Sequence, residues 1–162
     1  MSKVSAKTNR IGLSKDKSKN LSKLLNDLLS NYQVFYMNTR GYHWNIKGDN
    51  FFELHLKFEE FYTDFQIKID EIAERILTLG HTPLHSFTDY LKHSSIKEDI
   101  NSFVGKESLS SVLNSFEKLI QLQREILAVA SEAEDEGTNA LMSDYIRAQE
   151  KTIWMLTAYL NK

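Results

Sequence analysis

Cysteine is absent from this chain of 162 residues, proline occurs once and glycine six times. Without a thiol there can be no disulfide, no thiolate nucleophile and no cysteine-held zinc or iron–sulfur centre. So little proline and glycine leaves scant material for the turns of a sheet protein. No apolar run approaches the roughly 20 residues that carry a helix across a bilayer. No apolar secretory segment follows Met1 either, so a cytoplasmic location is expected. What remains is a chain with 41% hydrophobic residues and a formal net charge of −2. Its length suits one domain with a substantial core.

The near-neutral total hides an imbalance. Residues 1–19 carry Lys3, Lys7, Arg10, Lys15, Lys17 and Lys19 against the single acid Asp16, a net of +5, which leaves −7 for residues 20–162. Serine, asparagine and scattered apolar residues fill this stretch, so residues 1–17 are expected to be a flexible basic tail. One such arm is a plain solubilising terminus. Several arms on one particle would bind duplex DNA non-specifically and salt-sensitively, with Lys3, Lys7, Arg10 and Lys15 as the contacts and nucleoid association as the consequence.

Beyond the tail, over 18–162, the apolar period is helical. Leu21, Leu24, Leu25, Leu28, Tyr32, Phe35, Thr39 and His43 share one stripe, which predicts a first helix over about 18–46. Gly48-Asp49 breaks it. A second helix is expected over 51–79 with Phe58, Phe61, Phe65, Ile69, Ile72 and Ile76, stopped by Gly80 and kept from resuming by Pro83. The less regular stretch 83–104 holds a short helix around 88–92. Long helices follow over 105–133 and 138–161, with Gly137 expected as a C-cap and Thr138 as an N-cap. The fold class is therefore all-α: a four-helix bundle with a long crossover carrying a short helix. No strand–glycine-loop–helix unit offers a nucleotide site, and no HExxH motif is present.

Polar groups recur where a core is expected. His43 and His55 lie symmetrically about residue 49, where the chain reverses, so an antiparallel hairpin can bring them together. His55, Glu59, Asp70 and Glu74 lie on broadly one face of the second helix. Fifteen residues of helix span roughly 22 Å, so His55 and Asp70 cannot meet within one straight helix. They can meet if that helix packs antiparallel on a second copy about a two-fold near residues 62–63. This predicts an isologous dimer with two sites, each taking His43, His55 and Glu59 from one chain and Asp70 and Glu74 from the other. Imidazoles with carboxylates suit Fe(II), with Zn as a competitor, whereas magnesium and calcium favour all-oxygen shells. The Glu-x-x-His pairs of a within-chain di-iron bundle are missing. The alternative is two core histidines in ordinary contacts, with Asp70 and Glu74 paired to Lys68 or Arg75.

The run His43-Trp44-x-x-x-Gly48-x-x-Phe51-x-x-Leu54-His55-x-x-Phe58-Glu59, continuing through Tyr62 to Asp70-x-x-Ala73-Glu74-Arg75-Ile76 and Leu79-Gly80, resembles the Dps family, the mini-ferritins. A weaker likeness covers Thr138 and Glu150-Lys151-x-x-Trp154-Met155-Leu156. The resemblance implies a ferritin-like subunit in a hollow homo-dodecamer built from two-fold dimers. It implies a ferroxidase that oxidises Fe(II), preferentially with hydrogen peroxide, at a two-iron site in the dimer interface, stores Fe(III) mineral and protects DNA from oxidative damage. His43, His55, Asp70 and Glu74 match that family's ligands. Glu59 stands where aspartate is frequent, and Trp44 matches a tryptophan beside the site. Acids after the third long helix, here Glu132, Glu134, Asp135 and Glu136, line an iron-entry pore in the family. Ala140 replaces a common aspartate there, with Asp144 one turn on. The competing functions are a non-catalytic DNA-compacting or zinc-binding shell protein and a helical interaction protein.

Overall fold

The computed structural model describes residues 7–161. Five helices follow one another: α1 Lys15–Asn45, α2 Phe51–Thr78, α3 Phe87–His93, α4 Gly105–Glu132 and α5 Glu136–Leu160. Among the described residues there is no strand, only two isolated bridges, Thr8 with Ser14 and Lys47 with Val104. α1 packs on α2 and α4 on α5, while α1 also touches α4 and the short α3. This is the four-helix bundle with a crossover that the periodicity predicts.

The core is built where four apolar stripes meet. Phe35 of α1 lies 4.4 Å from Phe65 of α2, ring centre to ring centre, and 5.2 Å from Phe116 of α4. Phe61 and Phe65 approach the Phe116 ring to 5.6 and 5.7 Å. Each fully buried side chain of this size stabilises the fold by about 1.5–3 kcal/mol. One polar knot interrupts the grease. The buried hydroxyl of Tyr32 accepts from Gln123 Nε2 at 3.1 Å and Gln149 Nε2 at 2.6 Å, tying α1 to α4 and α5. Burial pushes the Tyr32 phenol well above its usual range, so it stays neutral.

α2 ends as expected. Gly80 takes the left-handed conformation, with φ +89°, and its N–H donates to the Leu77 carbonyl while that of His81 donates to Ile76. Those two bonds close the last turn. The α4–α5 junction differs from the expected Gly137 C-cap and Thr138 N-cap. The same pair of closing bonds runs from Glu134 to Ser131 and from Asp135 to Ala130, with Glu134 itself left-handed at φ 59°. Asp135 caps α5 by accepting from the Thr138 N–H at 3.0 Å. Gly137 sits inside the first turn for another reason: a Cβ there would stand 2.8 Å from Arg75 Nη1.

α1 starts three residues before the expected position, because the Ser14 hydroxyl accepts from Lys17 N at 3.5 Å. Lys3 lies outside the described residues. Of the stretch expected as a flexible tail, residues 7–14 form a hydrogen-bonded loop and 15–17 open α1. Asn9 Nδ2 donates to Ser18 Oγ at 3.2 Å and to the Leu79 carbonyl at 3.3 Å. Three asparagines on α1 fasten the crossover. Asn26 Oδ1 accepts from Leu84 N, Asn31 Oδ1 from Ser95 N and Ile96 N, and Asn38 Oδ1 from Asp99 N. They satisfy backbone donors that no helix supplies with acceptors.

Candidate metal centre

The last turn of α1 and the second turn of α2 place His43 and His55 side by side, with ring centres 3.7 Å apart and planes 18° from parallel. His43 Nδ1–H donates to the backbone carbonyl of His55 at 2.7 Å. His55 Nδ1–H donates back to the carbonyl of His43 at 2.8 Å. A carbonyl oxygen can only accept, so in each neutral ring the proton is fixed on Nδ1 and the lone pair on Nε2. Neither Nε2 makes a hydrogen bond among the described residues. Main-chain bonds of this kind orient metal-binding imidazoles. Phe51 stacks against His55 at 5.2 Å and Tyr62 stands edge-on to His43 at 5.3 Å, so aromatic walls hold both rings.

The carboxylates are placed differently. Glu59, Asp70 and Glu74 are exposed on α2, and none of the three side chains makes an ion pair or hydrogen bond among the described residues. The nearby cations are committed elsewhere. Lys68 pairs with Asp64, and Arg75 pairs with Asp135 at 2.5 Å. This removes the alternative in which Asp70 and Glu74 serve as ordinary ion-pair partners of Lys68 or Arg75. Among the described residues no three His, Asp or Glu side chains gather into one metal-sized cluster within the chain. His43 and His55 come together; Asp70 and Glu74 lie about 22 and about 28 Å along α2 from His55.

Phe52, Leu56, Glu59, Thr63, Ile67, Asp70, Glu74 and Leu77 form one uninterrupted exposed stripe on α2 at helical spacing. Four of its members are large apolar side chains left in solvent: Phe52, Leu56, Ile67 and Leu77. The stripe is symmetric about Thr63, with 52 and 74, 56 and 70, and 59 and 67 equidistant from it. A groove of about 670 Å³ between α1 and the crossover is lined by Met37, Arg40, Trp44, Phe87 and Leu91 among others. Trp44 is 56% exposed, with its ring under the Arg40 guanidinium at 4.7 Å.

The acids after α4 divide. Glu132, Glu134 and Glu136 are exposed, and so is Asp144, which pairs with Arg147 at 2.8 Å. Asp135 does not join them as an open acid, for it is only 2% exposed. One of its oxygens takes Arg75 Nη2 and the Thr138 N–H, and the other takes the Thr138 hydroxyl at 2.6 Å. Arg75 Nε in turn donates to Thr138 Oγ1 at 2.8 Å. At the opposite end of the chain, Lys7, Arg10 and Lys15 are exposed.

Residues 22–162 match the ferritin family, described as a ferritin-like domain. A DNA protection during starvation protein of Porphyromonas gingivalis is 42% identical over 151 residues, covering 93% of this chain and 95% of its own. The crystal structure of a Dps protein from Vibrio cholerae O1, described as a member of a broad superfamily of ferritin-like diiron-carboxylate proteins, superimposes with a TM-score of 0.94 at 60% identity. It covers 96% of this chain and 98% of its own. A Dps protein from Bacillus brevis superimposes with a TM-score of 0.87 at 38% identity, covering 90% and 97%.

Proposed function

Since the chain belongs to the Dps branch of the ferritin-like family, which carries a general ferroxidase and iron-storage role, we propose that it oxidises Fe(II) at sites shared between two copies of itself. Each site takes His43, His55 and Glu59 from one chain and Asp70 and Glu74 from the other. The observation that carries this reading is the split donor set. Two imidazoles have Nδ1 pinned to backbone and Nε2 free, while Asp70 and Glu74, which would complete a shell, stand unpaired among the described residues about 22 and about 28 Å away along the same helix. A second α2 packed antiparallel about Thr63 brings the two halves together and covers Phe52, Leu56, Ile67 and Leu77 in the same step. Isologous packing of this kind makes two equal sites.

Fe(II) is the substrate. Two Fe(II) ions give one electron each to hydrogen peroxide, which takes up two protons and leaves as two waters, so the paired step releases no hydroxyl radical. Neutral Nε2 donors and anionic oxygens suit Fe(II) and stabilise Fe(III) more, which favours the oxidised product. Pinned rings mean that binding needs little reorganisation. Glu59 and Glu74, both exposed, would hold the more weakly bound ion. The dimers assemble into a closed dodecamer, in which the oxidised iron is kept as mineral.

Complementation between chains tests the sharing. His43→Ala and Asp70→Ala proteins should each lose the fast phase of Fe(II)-dependent peroxide consumption while keeping their assembled mass. Reassembled together, they should regain it, because a mixed dimer has one site with both lesions and one with neither. Failure of the mixture to recover any fast phase, with mixed dimers verified by native mass spectrometry, would overturn the shared site. DNA is a separate matter, carried by the exposed Lys7, Arg10 and Lys15 together with Lys3. Changing these four to serine should abolish duplex retardation at low salt, and retardation that is unaffected would remove the tail from this role.

A further inference from the structure

Arg40 lies on α1 one turn before His43 and Trp44, and it is placed unusually for a charged side chain. Its guanidinium carbon is 4.7 Å from the centre of the Trp44 ring, 5.6 Å from that of Tyr62 and 5.5 Å from that of Tyr36. Nη1 donates to the Tyr36 hydroxyl at 3.2 Å. The buried Nε has no acceptor, and no carboxylate pairs with the group among the described residues. A cation drawn partly out of water normally takes an acid as partner. Here the negative faces of three aromatic rings stand in for one.

The other tryptophan of the chain supplies the contrast. Trp154 is 66% exposed and Trp44 56%, so solvent reaches the two indoles about equally in the single chain. Only Trp44 has a cation over its face among the described residues. Trp44 and Tyr62 are also oxidisable rings close to the histidine pair, with Tyr62 in contact with His43 at 5.3 Å.

We propose that Arg40 shields Trp44 from one-electron oxidation. Removing an electron from an indole leaves a radical cation, which then gives its N–H proton to water. A guanidinium fixed over the ring face attracts the neutral indole and repels the radical cation, so it makes the loss harder. Tyr62 gives up a proton with its electron and ends neutral, so the same charge protects it less. The benefit to the molecule rests on the iron and peroxide chemistry proposed above, which runs beside these rings, but the shielding itself does not.

The test uses an oxidant that needs no iron. Sulfate radical from photolysed persulfate takes one electron and becomes sulfate. It is applied to full-length assembled protein as wild type, Arg40→Lys, Arg40→Gln and Arg40→Leu. Dissolved dioxygen adds to the indolyl radical so formed, and peptide mass spectrometry then reads oxygen addition at Trp44 relative to Trp154. The ratio should rise about two- to fivefold in the neutral variants, the factor that a partly exposed cation–π contact supplies, and stay near wild type in Arg40→Lys. An unchanged ratio in Arg40→Gln overturns the proposal, and so does an equal rise in Arg40→Lys, which would assign the effect to packing. Arg40→Gln keeps an N–H for Tyr36 and serves if Arg40→Leu does not fold. A second arm with Fe(II) and peroxide reads the same ratio. If wild type fails to oxidise Fe(II) while the photolysis ratio still responds to charge, the iron reading falls and the shield stands.

Discussion

Two sets of carboxylates lie along or against α2, and the fold treats them oppositely. Toward the end of the helix, Asp135 is enclosed: Arg75, the Thr138 hydroxyl and the Thr138 N–H take up its oxygens, and Gly137 leaves the room for the guanidinium. Glu59, Asp70 and Glu74 stand open on the stripe, with the cations nearest in sequence drawn elsewhere. A satisfied buried acid is architecture, because its binding capacity is spent on the chain itself. An unsatisfied exposed acid in a row with uncovered apolar side chains is capacity still to be used. Arg75 connects the two treatments: by turning to Asp135 it leaves its neighbour Glu74 free.

The largest effect expected from this contrast is at Asp135. Asp135→Ala leaves the Arg75 guanidinium half-buried without its partner and removes the α5 cap, and should destabilise the protein by about 3–5 kcal/mol. Denaturant unfolding at fixed protein concentration measures it, and a loss under about 1 kcal/mol would mean that the clamp is not holding the α4–α5 junction. Gly137→Ala should cost less, about 1–2 kcal/mol, because the guanidinium has to give way by less than the width of a methyl group. Arg75→Lys in the same background should relieve part of that cost, which separates crowding from lost helix geometry. The smallest effect on stability is expected on the open stripe. Glu74→Gln should shift unfolding by no more than about 0.5 kcal/mol, yet slow Fe(II) oxidation in stopped-flow absorbance. A stability loss as large as that of Asp135→Ala would place Glu74 in the framework with Asp135.

The helices were legible because their apolar period is strong: Leu21 to Phe35 on α1 and Phe58 to Ile76 on α2 both line the core as the spacing predicts. The histidine pair was legible from its symmetry about the α1–α2 turn. The reciprocal bonds between them were not, because the acceptors are main-chain carbonyls, which no residue type announces. Asn26, Asn31 and Asn38 looked like ordinary polar residues of a long helix, because their partners are main-chain N–H groups of the crossover. The α4–α5 junction was misplaced because Gly137 offers the usual signal for a helix end. Its real requirement is set by Arg75, far away in sequence, and a non-glycine residue, Glu134, takes the strained position instead. Separation in sequence hid the clamp, and side-chain identity alone cannot show which of several acids a given arginine selects.

The exchange of bonds between His43 and His55 has an evolutionary consequence. Where an imidazole leans on a neighbouring glutamate or serine, one substitution in that neighbour can loosen it. Here each ring leans on a peptide carbonyl, which every amino acid carries. Point mutation therefore cannot delete the acceptor; only a shift of one helix against the other can. The orientation of the two rings is thus inherited with the geometry of the α1–α2 hairpin, and the sequence around them is left free to change so long as that hairpin keeps its register.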